Sequence, residues 1–199
     1  MAIKFQYNKT ALQSLEKQLK IRVRALPTIK NKESALRLEV KKAKDESTRL
    51  KNELKTTIES YDNMVALWGE FDTSLINIDT VNLGIKKIAG VKTPVLESVY
   101  FNIAEFSVFN SPKWFLSGIA IIKKLVELAI EKEVFQRKMK LLDRARKKTT
   151  QKVNLFEKVQ IPGFENAIRK IKRFLEDEDN LSKSAQKIVK SRQQEEVAL

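Results

Sequence analysis

A chain of 199 residues with 39 basic and 25 acidic side chains carries a formal net charge of +14. It has no histidine and no cysteine, which removes disulfides, thiolate metal sites and most acid–base or nucleophilic constellations. Five glycines and four prolines are few for this length and favour long uninterrupted helices. No signal-peptide pattern is present. The most apolar stretch, Trp114 to Ile130, is interrupted by Lys123, Lys124 and Glu127, so any membrane association is expected through partners or at the periphery. Neither GxxxxGK[ST] nor GxGxxG occurs, and no cofactor is expected.

After a short lead-in, with Asn8 or Thr10 as a candidate cap, a heptad run extends from Leu12 to Trp68. One seam position holds Leu12, Leu19, Leu26, Glu33, Val40, Ser47, Leu54, Tyr61 and Trp68. The other holds Leu15, Arg22, Ile29, Leu36, Ala43, Leu50, Thr57 and Met64. The intervening positions are mostly Lys, Glu, Arg and Gln, which is the pattern of a helix buried along one narrow stripe. At 1.5 Å per residue it would be roughly 85 Å long, and it needs a partner. Pro27 predicts a local kink or a fixed curvature. Arg22 and Glu33 on the seam weaken the packing but help to fix its register.

The pattern changes after Trp68-Gly69. Residues 71–110 are rich in Val, Ile, Phe and Tyr, and Gly84, Gly90 and Pro94 punctuate them. The alternation through Val81, Leu83 and Ile85, and again through Val99, Phe101 and Ile103, predicts a small strand-containing module with a hairpin around 80–105. This insert is neutral, with 4 basic and 4 acidic residues over 71–115, whereas 1–70 and 116–199 carry the whole excess of charge. Two readings stand for it: a docking surface, or a hydrophobic knot that closes the chain reversal. Lys86 and Lys87 there can meet a phosphate, or shield an edge and flank a strand.

Ser111-Pro112 starts a new helix. A second, less pure seam follows through Leu128, Phe135, Met139, Leu142, Val153 and Phe156, interrupted near the basic cluster Arg144, Arg146, Lys147 and Lys148. That cluster is either a contact with acidic or polyanionic surroundings or a solvated helix face. Ile161-Pro162-Gly163 marks a kink or break, after which the rhythm resumes at Phe164, Ile168, Ile171 and Leu175. The tail beyond Glu176 turns polar and leaves room for a further weak helix. The expected fold is therefore mostly α: a long antiparallel two-helix coiled coil with a small α/β or β-hairpin middle module. Its parts are an N-terminal arm (1–70), the middle module (71–115), a C-terminal arm (116–176) and a polar tail (177–199).

Three stretches resemble a known family. They are Asn8-Lys9-Thr10-Ala11-Leu12-Gln13, continuing to Val23-Arg24-Ala25-Leu26-Pro27; Ala89-Gly90-Val91-Lys92-Thr93-Pro94 in the middle; and Lys152-Val153-Asn154-Leu155-Phe156-Glu157 followed by Ile161-Pro162, Glu165, Ile168 and Ile171. Together they resemble the D subunit of the V-type/A-type rotary ATPases, over roughly residues 5–177. Leu155-Phe156 and Gly163-Phe164 depart from that family's usual residues, as does the tail after Asp177.

The resemblance implies a non-catalytic central-stalk axle. Its paired arms would enter a head of A and B subunits, where the ATP chemistry resides, and couple it to ion translocation by a membrane ring. The implied partners are a small F-like subunit on the middle module and a C/d-type subunit toward the ring, with a cytoplasmic location peripheral to the membrane. Val81, Leu83, Ile85, Val91, Pro94, Val99 and Phe101 would then face the small subunit. Arg144, Arg146, Lys147 and Lys148 would face the head. Seam residues would be Leu12, Leu15, Leu19, Leu26, Leu36, Val40, Leu50, Leu54, Leu128, Phe135, Met139, Leu142, Val153 and Phe156. Two other functions stay open: a stand-alone coiled-coil scaffold or adaptor, and a nucleic-acid or membrane-surface binder. Against the latter, the aromatic residues cluster in the neutral middle and not in the basic arms.

Overall fold

The computed structural model describes residues 3–62, 65–107 and 112–197. Met64 and Ser111 lie outside these. Helix α1 spans Lys9–Ser60 and α2 spans Val65–Trp68. Strands β1, Ile76–Ile88, and β2, Val91–Ile103, form one antiparallel hairpin. Helix α3 spans Phe115–Asn154, a π-helical turn occupies Leu155–Gln160, and α4 spans Ile161–Val197. The expected fold class holds: mostly helix, with a β-hairpin in the middle.

Asn8 caps α1. Its Oδ1 accepts the Ala11 N–H at 2.7 Å, and its carbonyl accepts the Leu12 N–H. The helix runs unbroken through Pro27. Pro27 and Val23, whose carbonyl the proline leaves without a helical donor, are both exposed, so water can serve that carbonyl. Ion pairs three or four residues apart line the outer surface, among them Glu33–Arg37, Glu39–Lys42 and Glu46–Arg49–Glu53. Such surface pairs, with the arginine or lysine exposed and the acid partly covered, support a helix by only a few tenths of a kcal/mol each. Burial of the seam contributes more.

The chain divides into two compact units. The first comprises Met1–Asn31 and Thr149–Leu199, and the second Lys32–Lys148. In the first, Leu15 packs with Phe164, Ala167, Ile168 and Ile171 in one buried cluster, flanked by Leu12, Leu19 and Leu175. Three polar ties give the direction of pairing. Glu16 meets Lys172, Arg22 meets Gln160, and Lys30 meets Glu157. Numbers rise along α1 as they fall along its partner, so the two segments run antiparallel.

In the second unit, Leu36, Ala43 and Leu142 are buried together, with Val40 and Met139 beside them. The hairpin turn packs onto this same cluster through Ile88, Ala89 and Val91. Ala89 and Gly90 both have positive φ, 48° and 80°. A two-residue turn with both central residues left-handed matches the twist of its strands, and glycine is suited to that conformation. Two unpaired residues, Asp79 and Glu97, bulge the ladder, which pairs Ile78 with Phe101, Leu83 with Leu96, and Lys87 with Lys92. Thr93, almost fully buried, satisfies its hydroxyl by donating to the Lys86 carbonyl at 2.9 Å.

A separate aromatic cluster in this unit joins Phe71, Leu75, Phe115 and Ile119, with Trp68, Phe106 and Trp114 around them. The rings meet edge-on or tilted, at centroid distances of 5.0 Å for Trp114–Phe115 and 5.5 Å for Trp68–Trp114. Gly118 makes room for this. A Cβ there would lie 2.9 Å from the Trp114 ring and 3.3 Å from that of Phe71.

The sequence predicts a break or kink at Ile161-Pro162-Gly163, and the chain instead stays helical there. The adjustment falls one turn earlier. The Ile161 N–H donates to the Phe156 carbonyl, five residues back. The tail is also longer in helix than the sequence suggests, because α4 continues to Val197.

Candidate functional site

Among the described residues no group of three or more His, Asp or Glu gathers as a metal site, and no helix is long and apolar enough to cross a membrane. The candidate sites are surfaces: the paired arms, the basic cluster on α3, and the hairpin.

Along the arms, Leu15, Leu36, Leu50 and Leu142 are buried. Leu12, Leu19, Leu26, Val40, Leu54, Leu128, Phe135, Met139, Val153 and Phe156 are half-buried. Arg22, a charged residue on the seam, is held from three sides. Its Nε donates to Gln160 Oε1 at 2.7 Å, a terminal nitrogen donates to the Gln18 carbonyl, and its guanidinium carbon lies 4.5 Å from the centre of the Phe164 ring. A guanidinium so placed keeps its donors satisfied while covering an apolar ring. Gln160 closes the π turn, so Arg22 ties that turn to α1.

On α3, Asp143 organises the basic cluster. Arg146 donates to Asp143 Oδ1 through two nitrogens, at 2.7 and 2.9 Å, and Lys147 meets Oδ2 at 3.1 Å. The hydrogen bonds from Arg146 and then Lys147 hold the Asp143 carboxyl below its ordinary range. Arg146 is largely covered, whereas Arg144 and Lys148 are exposed. These two lie four residues apart on one helix face.

The hairpin candidates divide by burial. Leu83 and Ile85 are exposed. Val81, Val91, Pro94, Val99 and Phe101 are half-buried. Val91 packs on the Leu36–Leu142 cluster, and Phe101 carries the Lys123 ammonium over its ring at 5.7 Å. Pro94, Val95 and Leu96 line one side of a recess of about 130 Å³, whose other wall is Glu131, Val134, Phe135 and Lys138 of α3. Sequence patterning misses the π turn and the docking of the hairpin turn onto the helices. A break in the seam spacing signals the first. The second joins residues far apart in the chain and leaves no periodic trace.

The family model for the D subunit of ATP synthase matches residues 11–191. A V-type ATP synthase D subunit of Borreliella burgdorferi is 32% identical over 192 residues, covering 94% of each chain. Proteins of the same name from Chlamydia trachomatis serovar L2 and Chlamydia muridarum are 26% and 28% identical over 200 residues, covering 98% of each chain. The similarity runs through both helical arms and the hairpin between them, and this chain belongs to the family of ATP synthase D subunits.

Proposed function

We propose that this chain is the central rotor axle of a V/A-type rotary ATPase, a non-catalytic subunit that couples ATP hydrolysis or synthesis in an A/B head to ion translocation by a membrane ring. The observation that carries this is the antiparallel return of the C-terminal arm along the N-terminal one, tied by Glu16–Lys172, Arg22–Gln160 and Lys30–Glu157. A transmitting element must resist twisting, and paired helices cross-linked at several levels do so. Two helices have no three-fold symmetry. Inside a three-fold head, such an axle presents a different face to each catalytic interface and so biases each toward a different state.

In this proposal residues 1–70 and 116–176 are the arms and 177–199 a polar tail, of which the part to Val197 continues the helix of the second arm. The middle module, 71–115, takes the small F-like subunit on the exposed face of its hairpin. A C/d-type subunit links the stalk to the ring, and the chain meets the membrane only through the complex. Charged shaft surfaces facing acidic collar residues would be guided without one fixed partner.

Co-expression with the A, B and small stalk subunits of the same source, followed by affinity purification through this chain, tests the proposal. The expected product contains all of them and hydrolyses ATP. Recovery of this chain alone, or with proteins unrelated to the ATPase, overturns it and favours a free-standing scaffold.

A further inference from the structure

The outer face of the hairpin near its turn combines two features that do not suit each other in an isolated protein. Lys87 and Lys92 stand directly opposite across the strands. Such side chains have Cβ atoms about 4.5–5.5 Å apart, and like charges placed so are destabilising. Among the described residues neither they, nor Lys86, nor Lys32, whose ammonium lies against Gly90, belongs to an ion pair. Of the carboxylates on the helices that carry the turn, Glu33 pairs with Arg37, Glu39 with Lys42, and Asp143 with Arg146 and Lys147. The hairpin's own acids, Asp79 and Glu97, stand at the bulges, away from the turn.

Alternation along the strand places Ile85 and Leu83 on the same face as Lys87. The opposite face is the inward one, since it bears Thr93, Ile88 and Val91. Ile85 is 74% exposed and Leu83 46%.

We propose that this face is a carboxylate seat: Lys87 and Lys92 jointly hold an acidic side chain of a protein partner, whose apolar neighbours cover Ile85 and Leu83. The proposal rests on the hairpin being a docking face, as proposed above, and adds the chemistry that its partner presents. Charge complementarity selects an acidic segment. The exposed isoleucine and leucine select protein over nucleic acid, because a phosphate backbone offers nothing apolar to cover them. Residues 83–96 also contain no aromatic ring on which a base could stack.

Zero-length carbodiimide coupling of the purified, assembled complex, read by mass spectrometry, tests this directly. An isopeptide bond from Lys87 or Lys92 to an Asp or Glu of another subunit is expected. Coupling of both only within this chain, or to nothing, overturns it.

A double variant, Lys87→Gln with Lys92→Gln, gives a second readout. Relief of the opposed charges raises the melting temperature of the isolated subunit by about 1–3 °C. The same change weakens capture of the partner about tenfold at low salt and less at high salt. If the lysines only guard an open strand edge, the variant aggregates and keeps its partner, and the seat is disproved. Leu83→Ser with Ile85→Ser separates the two layers. Loss of partner in the serine variant but not the glutamine variant keeps the docking face and removes the seat. Retention in both removes both.

Discussion

Asp143 gathers two cations that would otherwise repel each other along α3, Arg146 at 2.7 Å and Lys147 at 3.1 Å. Its carboxyl titrates below the ordinary range because these donors favour the ionised form. The sign follows by linkage. A carboxylate with a lowered pKa in the folded state contributes stability above its unfolded pKa, about 4, and loses that contribution as pH falls through the folded value. Asp143→Asn is therefore expected to lower the melting temperature near pH 7. The difference from the unaltered chain should shrink toward zero as pH falls below about 4. Thermal melts at stepped pH check this, and a difference that grows on acidification contradicts it. The role of Asp143 is not legible in the sequence. The cluster Arg144 to Lys148 is conspicuous there as charge, but an acid one position before it reads as one more solvated residue until the helix places it beneath two of the cations.

Elements extend the same lesson. The two seams and the hairpin are legible, because periods of seven and two are written in the positions of Leu, Ile and Val. The π turn is harder to see, though its trace is there. From Phe135 the C-terminal seam steps through Met139, Leu142, Arg146, Thr149, Val153, Phe156 and Gln160, alternating four and three. It then steps four again to Phe164 before resuming through Ile168, Ile171 and Leu175. One residue too many has entered the rhythm. In a plain α-helix one added residue turns everything beyond it by about 100°. The wider turn at Leu155–Gln160 takes up that residue, and Phe164, Ile168 and Ile171 stay directed at Leu15. Pro162 also sits where the ladder is already disturbed. Deletion of Val159, which is exposed, should therefore be tolerated better than deletion of the exposed Arg169 by at least about 2 kcal/mol. The second deletion swings Ile171, fully buried, out of its core. Urea melts of the two variants decide, and equal losses would remove the account of the π turn as a phase correction.

The molecule as a whole carries +14, with the excess confined to the stretches on either side of the neutral middle. Many of these charges are paired on their own helix, as Arg49 is with Glu46 and Glu53, so the net figure overstates what a partner meets. Arg144 and Lys148 are exposed and share a face, and in the axle proposed above they are the pair expected to sense an acidic head. Reversing both to Glu should slow association with the head about tenfold at low ionic strength and much less in about 0.5 M salt. Association kinetics at stepped salt check this, and an unchanged low-salt rate removes electrostatic guidance.

Arg22 and Gln160, which touch in the first unit, are 138 positions apart in the chain. A ribosome adding about 5–20 residues per second leaves the leucines at 12, 15 and 19 without their partners for about 7–30 s. During that interval the growing polypeptide presents a greasy stripe to the cell. Synthesis of this protein is thus expected to depend on something that shelters its beginning until its end emerges: a chaperone, or a companion subunit made alongside it.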